Sequence, residues 1–223
     1  MNNLSRRRLL GLMGMAPLAG GILGASGIGA TGAAKMRADS RAAGGTNMLA
    51  ESRAARERIH KRYFPDVMLR TQDDKQVRFY DDLVKDKIVT INFFYANCEG
   101  ICPLVTSNLV KVQKLLGERV GRDIFMYSIS LKPEDDTPAV LKDYEKMHEI
   151  GPGWKLLTGK PGDIELLRKS LGFTFPNKVI DQDKSQHIGN VRYGNEPLML
   201  WAACPGMAHA KWIAESISWV IRS

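Results

Sequence analysis

The chain predicts an α/β sandwich, with helices on both faces of a mixed sheet. Three observations carry that prediction. From Phe64 onward, apolar runs of strand length alternate with stretches of helical periodicity. Ile88-Val89-Thr90-Ile91-Asn92-Phe93-Phe94 is β-branched and aromatic with few polar positions, as a central strand covered on both faces must be. The 223 residues are 44% hydrophobic and 25% charged, an ordinary globular balance that supports a single core.

The first 62 residues do not belong to that pattern. Arg6, Arg7 and Arg8 precede an uncharged run from Leu9 to Ala34, diluted by eight glycines between Gly11 and Gly32 and ending in small residues. A basic start, an apolar stretch and a small-residue junction mark residues 1–34 as an export signal, and the adjacent arginines point to the twin-arginine type. The protein is therefore expected outside the cytoplasm, in the periplasm or on the outer face of the cytoplasmic membrane. Residues 35–62 carry eight basic residues against Asp39, Glu51 and Glu57 and read as a basic, flexible spacer, with a short basic helix possible over Leu49 to Arg62. Such a segment permits membrane association through anionic headgroups. From Tyr63 to Ser223 there are 21 basic and 21 acidic residues, so the folded part lacks the net positive charge of a nucleic-acid binder.

The elements follow in order. Val67 to Thr71 and Val77 to Tyr80 flank a polar turn and predict a hairpin. After the central strand, Leu104, Val105, Leu109, Val112, Leu115 and Leu116 recur at helical spacing from Pro103 to Leu116. Ile124 to Ser130 is the next strand. Thr137 or Asp136 caps a helix that opens at Pro138 and runs to about Glu149. Trp154 to Leu157 is a short strand and Pro161 to Leu171 a third helix. Ile188 to Tyr193 and Leu198 to Ala203 flank Gly194-Asn195-Glu196 as an antiparallel hairpin. A last helix spans about His209 to Ile221, with Trp212, Ile213, Ile217 and Val220 as its buried stripe. This order is that of a thioredoxin-like three-layer sandwich with an extra N-terminal β-hairpin, over residues 63–223.

Cys98-Glu99-Gly100-Ile101-Cys102-Pro103 falls at the carboxyl end of the central strand, the edge where open α/β sheets bind ligands. Cys102 lies at or next to the helix N-cap, where backbone N–H groups favour a thiolate. Two thiols this close form a disulfide, hold a soft metal, or pass between those states, so they are the candidate redox-active pair. His187 opens a strand that runs antiparallel to the central one, which brings it to the same edge. Two thiolates and an imidazole suit copper, with zinc as the alternative. Cys204 leaves an odd thiol, expected to be free and partly buried, with an auxiliary role beside Met207 or His209 as the alternative.

Phe93 to Pro103, the stretch Ser128-Ile129-Ser130-Leu131-Lys132-Pro133-Glu134-Asp135-Asp136-Thr137-Pro138, and His187 together resemble the Sco (SenC-type) family. The resemblance covers about Phe64 to His187. It implies a thioredoxin-like fold, copper held by Cys98, Cys102 and His187, and a role in assembling the CuA centre of cytochrome c oxidase. The implied partners are a cuproprotein acceptor, a respiratory oxidase subunit, and a thiol-disulfide reductant. Some members of the family act mainly as thiol-disulfide reductases. This chain departs from the pattern at Glu99, where members often carry Pro, and at Lys132, where they usually carry Asp. Two functions are thus in view: a metallochaperone that delivers copper, and a periplasmic thiol-disulfide oxidoreductase using Cys98 and Cys102.

Overall fold

The computed structural model describes Met48, residues 50–183 and residues 189–222. The expected export signal, most of the expected spacer and His187 lie outside those residues. The chain divides into Met1–Leu49 and Ala50–Ser223, and the second unit holds every element named here.

Seven strands form one sheet in the order β2-β1-β5-β4-β3-β6-β7. They are β1 Met68–Thr71, β2 Gln76–Arg78, β3 Ile88–Phe94, β4 Ile124–Ser130, β5 Trp154–Gly159, β6 Asn190–Asn195 and β7 Leu200–Pro205. β3, β4 and β5 run parallel, while β1 joins β5, β2 joins β1, β6 joins β3 and β7 joins β6 antiparallel. Ile88 pairs with Ile124 and Phe94 with Ser130, so β3 and β4 end level. Ile91 pairs with Arg192, so β6 starts beside the end of β3, and Val191 faces Cys204 across the next pairing.

The helices are α1 (50–63), α2 Ile101–Leu116, α3 Pro138–Met147, α4 Pro161–Ser170, the short α5 Lys178–Gln182 and α6 Ala210–Arg222. Side chains alternate along a strand, and β3 shows what covers each face. The Phe94 ring lies 5.0 Å from Tyr144 of α3, and the Phe93 ring lies 4.9 Å from Phe173, just past α4. α2 shares the Phe94 side, since Thr106 and Tyr144 join their hydroxyls at 2.8 Å and α6 packs on α2. A polar chain crosses the sheet: Trp154 Nε1 donates to Ser128 Oγ at 2.9 Å, which donates to Asn92 at 2.7 Å.

Several boundaries differ from those read in the sequence, each for a packing reason. Phe79 and Tyr80 leave the second strand for a π-helical turn over Phe79–Val84 that buries both rings. The β6–β7 turn sits at Glu196 to Met199 instead of at Gly194. Gly194 stays inside β6 because Trp201 of the neighbouring strand lies over it, and an added Cβ would come within 2.4 Å of that indole. In α6, Ile213 and Ile217 are buried as expected, but Trp212 is exposed and Ala214 takes the inner face. α5 carries no sequence signal of its own, because five residues are too few to show periodicity.

Residues 50–62, the end of the expected flexible spacer, are helical and docked. Arg56 Nε donates to Glu196 Oε1 at 2.6 Å, and its Nη2 bonds Glu196 Oε2 and, at 2.7 Å, Asp86. Glu196 is buried and also accepts from Tyr80 Oη at 2.9 Å and the Asp86 N–H at 2.8 Å. His60 stacks on the Tyr80 ring with 3.5 Å between centroids, and Phe64 meets Trp201 at 4.6 Å. A basic segment thus finds one buried carboxylate, which its composition alone did not reveal. Among the described residues no helix is long and apolar enough to cross a membrane.

Burial pushes the Glu196 carboxyl up, but the bonds from Arg56, the Asp86 amide and Tyr80 outweigh it and hold it below its ordinary value of 4.5. A carboxylate held low in the fold contributes stability that is complete above the unfolded value and is lost as pH falls through the folded one. Arg56→Ala is therefore expected to cost about 2 kcal/mol, below the ~3–5 of a wholly buried pair because the Arg56 side chain is 31% exposed. Urea midpoints at pH 7 and pH 3.5 check this: the gap between wild type and variant should shrink at the lower pH.

Candidate functional site

The level ends of β3 and β4 place two turns side by side. The turn after β3 carries Tyr95 and Cys98, and the turn after β4 carries Lys132 and Asp136. Asp136 joins them from beneath. Its carboxylate accepts the Ala96 N–H at 3.2 Å to both oxygens and the Ser130 hydroxyl at 2.5 Å, while Ser130 Oγ accepts the Lys132 N–H at 3.0 Å. Asp136 is 1% exposed, and burial raises its carboxyl above the usual range despite those bonds.

The sequence left the cap of α3 open between Asp136 and Thr137. The structure resolves it: Thr137 caps, accepting the Val140 N–H at 3.4 Å, and Asp136 turns inward. Asp136 is the site residue that sequence reasoning missed. The available signal was the redundancy of two adjacent capping residues, one of which is free for another task.

α2 starts at Ile101, two residues earlier than its apolar periodicity indicates, with Gly100 as N-cap. That shift changes which of the two thiols is the more acidic. Cys102 now lies within the first turn, 1% exposed, and burial, reinforced by its bond to Cys98, pushes its thiol far above the ordinary value. Cys98 sits in the bend before the helix. Burial opposes its charge, but bonds from the Cys102 thiol, the Tyr95 hydroxyl and the backbone N–H groups of Cys102 and Gly100 pull its thiol below the ordinary value. The helix N-terminus therefore acts on Cys98, not on Cys102. Glu99 between them is exposed to solvent.

Cys98, Cys102 and Cys204 are all buried and reduced. Cys204 lies in β7 opposite Val191, and burial pushes its thiol up to about 11. Among the described residues no three His, Cys, Asp or Glu side chains gather into a metal-holding set, so Cys204 does not complete one with the pair. Met207 and His209 are exposed in the loop before α6. The site thus holds two neighbouring sulfurs, one ionised more readily than the other.

The chain on either side of residues 184–188 is held near this edge. Arg168 bonds both carboxylate oxygens of Asp181, at 2.7 and 2.8 Å, which holds Asp181 down to about 2 and pins α5. The negative charge of Asp183 acts on Tyr95. On the far side, Gly189 lies against Ile101 and Val105 of α2, where an added Cβ would come within 2.8 Å of Ile101. Gly206 donates its N–H to the Gly189 carbonyl at 2.7 Å.

Comparison with known proteins gives this edge a family. The SCO1/SenC family model matches residues 60–194, more than half of the chain, and the chain belongs to that family. A SCO1 protein homolog of Bacillus subtilis is 33% identical over 89 residues, 40% of this chain and 45% of that one, so the chain spans less than half of that relative's length. The structure of Bradyrhizobium japonicum ScoI with copper bound matches over 69% of this chain and 96% of that one, at TM-score 0.55 and 24% identity. BsSco, a member of the Sco family of cytochrome c oxidase assembly proteins in which a disulfide switch is identified, matches over 69% of this chain and 90% of that one, at TM-score 0.56 and 24% identity. These structures establish the shared thioredoxin-like fold.

The split between the sulfurs has a direct chemical consequence. With the reduced protein at neutral pH, iodoacetamide should label Cys98 at least ~10-fold faster than Cys102 or Cys204. Peptide mapping by mass spectrometry over time reads this, and faster labelling of Cys102 would contradict the assignment.

Proposed function

We propose that this member of the SCO1/SenC family is an exported copper carrier. It takes the ion on the Cys98 and Cys102 thiolates and the His187 imidazole and hands it to a cuproprotein during assembly of the CuA centre of cytochrome c oxidase. The observation that carries the reading is the pair of neighbouring thiols past the end of β3, on the edge where β6 begins. Gly189 packs on the helix that bears Cys102, and His187 precedes it by two residues, a span of about 7 Å at full extension.

The donor chemistry fits. Thiolates and imidazole are the soft and borderline ligands copper prefers, and only thiolate binds a metal. Cys98 is already inclined to the thiolate. Cys102 must lose its proton to the solvent as the ion arrives, so copper uptake releases a proton and strengthens as pH rises. Copper is cargo here, and delivery is ligand exchange: the acceptor's donors replace Cys98, Cys102 and His187 in turn, with no change in electron count. The arginine-led signal of residues 1–34 directs the protein to the compartment where the CuA domain is metallated, and a basic segment beside it favours the membrane face. A thiol-disulfide reductant must keep the pair open for metal.

The unequal sulfurs favour a second reading, a thiol-disulfide oxidoreductase. The Cys98 thiolate attacks a partner disulfide, forming a mixed disulfide and expelling one partner thiolate. Cys102, losing its proton, then attacks the Cys98 sulfur, closes the Cys98–Cys102 disulfide and releases the second partner thiolate. Two electrons pass to the partner and the two thiol protons follow them.

His187 separates the readings. Anaerobic copper titration of the reduced protein should give one tightly held ion. Cys98→Ala and Cys102→Ala should abolish it, and His187→Ala should weaken it roughly 100-fold. Disulfide reduction by His187→Ala should stay near the wild-type rate. Full stoichiometric copper in all three variants would show the ligand set to be wrong.

A further inference from the structure

On the Phe93 side of the sheet, away from α2 and its cysteine, a cavity of about 260 Å³ lies between the end of α1, the end of α4 and the β6–β7 pair. Its walls are Ile59, Phe64, Leu171 and Trp201, with the exposed Tyr63 beside them and one charged group, Arg192. Arg192 and Trp201 share a face of the sheet. Arg192 lies opposite Ile91 of β3, and Gly194, two residues further along β6, lies opposite Trp201. Gly172 makes room for the guanidinium, since an added Cβ there would stand 2.6 Å from Arg192 Nη2. The same Nη2 donates to the Gly172 carbonyl at 3.4 Å, and the guanidinium carbon lies 5.5 Å from the centroid of the Phe173 ring.

These contacts leave the half-buried Arg192 without a counter-charge. Arg56 and Arg168 are each held by two carboxylates, Arg56 by Glu196 and Asp86, and Arg168 by Asp181 and Glu165. Among the described residues Arg192 has no carboxylate partner, and burial weakens its hold on its proton with nothing to offset it. A guanidinium carries five N–H donors, and four of these have no protein partner among the described residues. A charge taken from water costs free energy until it is paired. We propose that this cavity binds a small apolar carboxylate, with its two oxygens on the Arg192 fork and its hydrocarbon tail among Phe64, Leu171 and Trp201. The planar fork matches a carboxylate through two parallel bonds, and apolar walls with one polar group to fix orientation are the usual form of a ligand pocket. At ~30 Å³ for each water-sized group, the volume admits a molecule of roughly ten heavy atoms and is too small for a lipid with two full acyl chains. The site makes no use of the thiol edge and stands apart from the copper reading.

The test is isothermal titration calorimetry of the full-length protein with octanoate and, separately, with 3-phenylpropionate at pH 7. At least one of these acids should bind saturably, with one equivalent per chain; tighter octanoate assigns an alkyl tail, and tighter 3-phenylpropionate an arene stacked among the aromatic walls. The matching alcohol, octan-1-ol or 3-phenylpropan-1-ol, keeps the tail and loses the charge, and should bind at least ~10-fold more weakly than its acid. Arg192→Met keeps the apolar stem and loses the fork. It should weaken the acid at least ~10-fold and leave the alcohol within ~2-fold of wild type. Arg192→Lys should recover part of the loss, as a point charge without the fork. Saturating acid should raise the thermal midpoint of wild type more than that of Arg192→Met. No saturable binding of either acid overturns the proposal, and so does an Arg192→Met variant that binds the acid as tightly as wild type. Unliganded midpoints within ~2 °C of wild type show that the variants keep the fold. Should Arg192→Met lose it, the comparison of acid and alcohol on the wild-type protein decides alone, and equal affinities overturn the proposal.

Discussion

The buried carboxylate of Asp136 is the constraint on which the site depends. β3 and β4 are parallel and end level, so their following turns emerge side by side with backbone donors that no strand pairing satisfies. Asp136 accepts one from each turn, from Ala96 and, through Ser130, from Lys132. Burying a carboxylate is costly unless it is well bonded, and the raised tendency of Asp136 to hold a proton shows the cost is only partly offset. What the fold gains is a fixed floor. Tyr95, Cys98 and Lys132 all stand on segments that this joint holds.

From that floor the chemistry follows in two steps. α2 begins early enough for its first free N–H groups to reach back to Cys98, while Cys102 is carried under the surface by the same helical turn. One sulfur gains donors and the other loses water, and the pair becomes asymmetric. Both proposed functions draw on that asymmetry, since metal capture and thiol exchange each begin at the more acidic sulfur and end with the second one joining.

Much of this was legible in the sequence because it rests on local pattern. The β-branched run of β3, the periodicity of α2 and the Thr137-Pro138 start of α3 are each decided within a dozen residues, and the strand order then placed Cys98 and Cys102 at one sheet edge. What was not legible depends on distant partners. Arg56 looked like one more spacer cation until Glu196, 140 positions away, supplied its buried carboxylate. Gly194 looked like a turn residue until Trp201 packed over it. Asp136 looked like a surface acid at a helix start, and only the level ends of β3 and β4 give it an inward task. The choice of the more acidic thiol failed for a smaller reason: the earlier start of α2 carries Cys102 into the buried first turn, where desolvation outweighs what the helix terminus offers it.

The two ends of β3 carry separate duties. Arg56, Tyr80 and Glu196 gather where β3 begins, with the Glu196 N–H bonded to the Lys87 carbonyl at 3.0 Å, and the thiols sit past its other end. Seven residues of strand put about 20 Å between them. Over that distance, with no shared partners, perturbations add independently, so the clamp on α1 and the thiol edge answer to different constraints. A docked α1 at the far end leaves the turns of Cys98 and Lys132 uncovered by that helix. Under the proposed function an exchange partner must reach Cys98, a sulfur only 6% exposed, so holding α1 at the opposite end removes that helix as an obstacle but does not by itself open the sulfur.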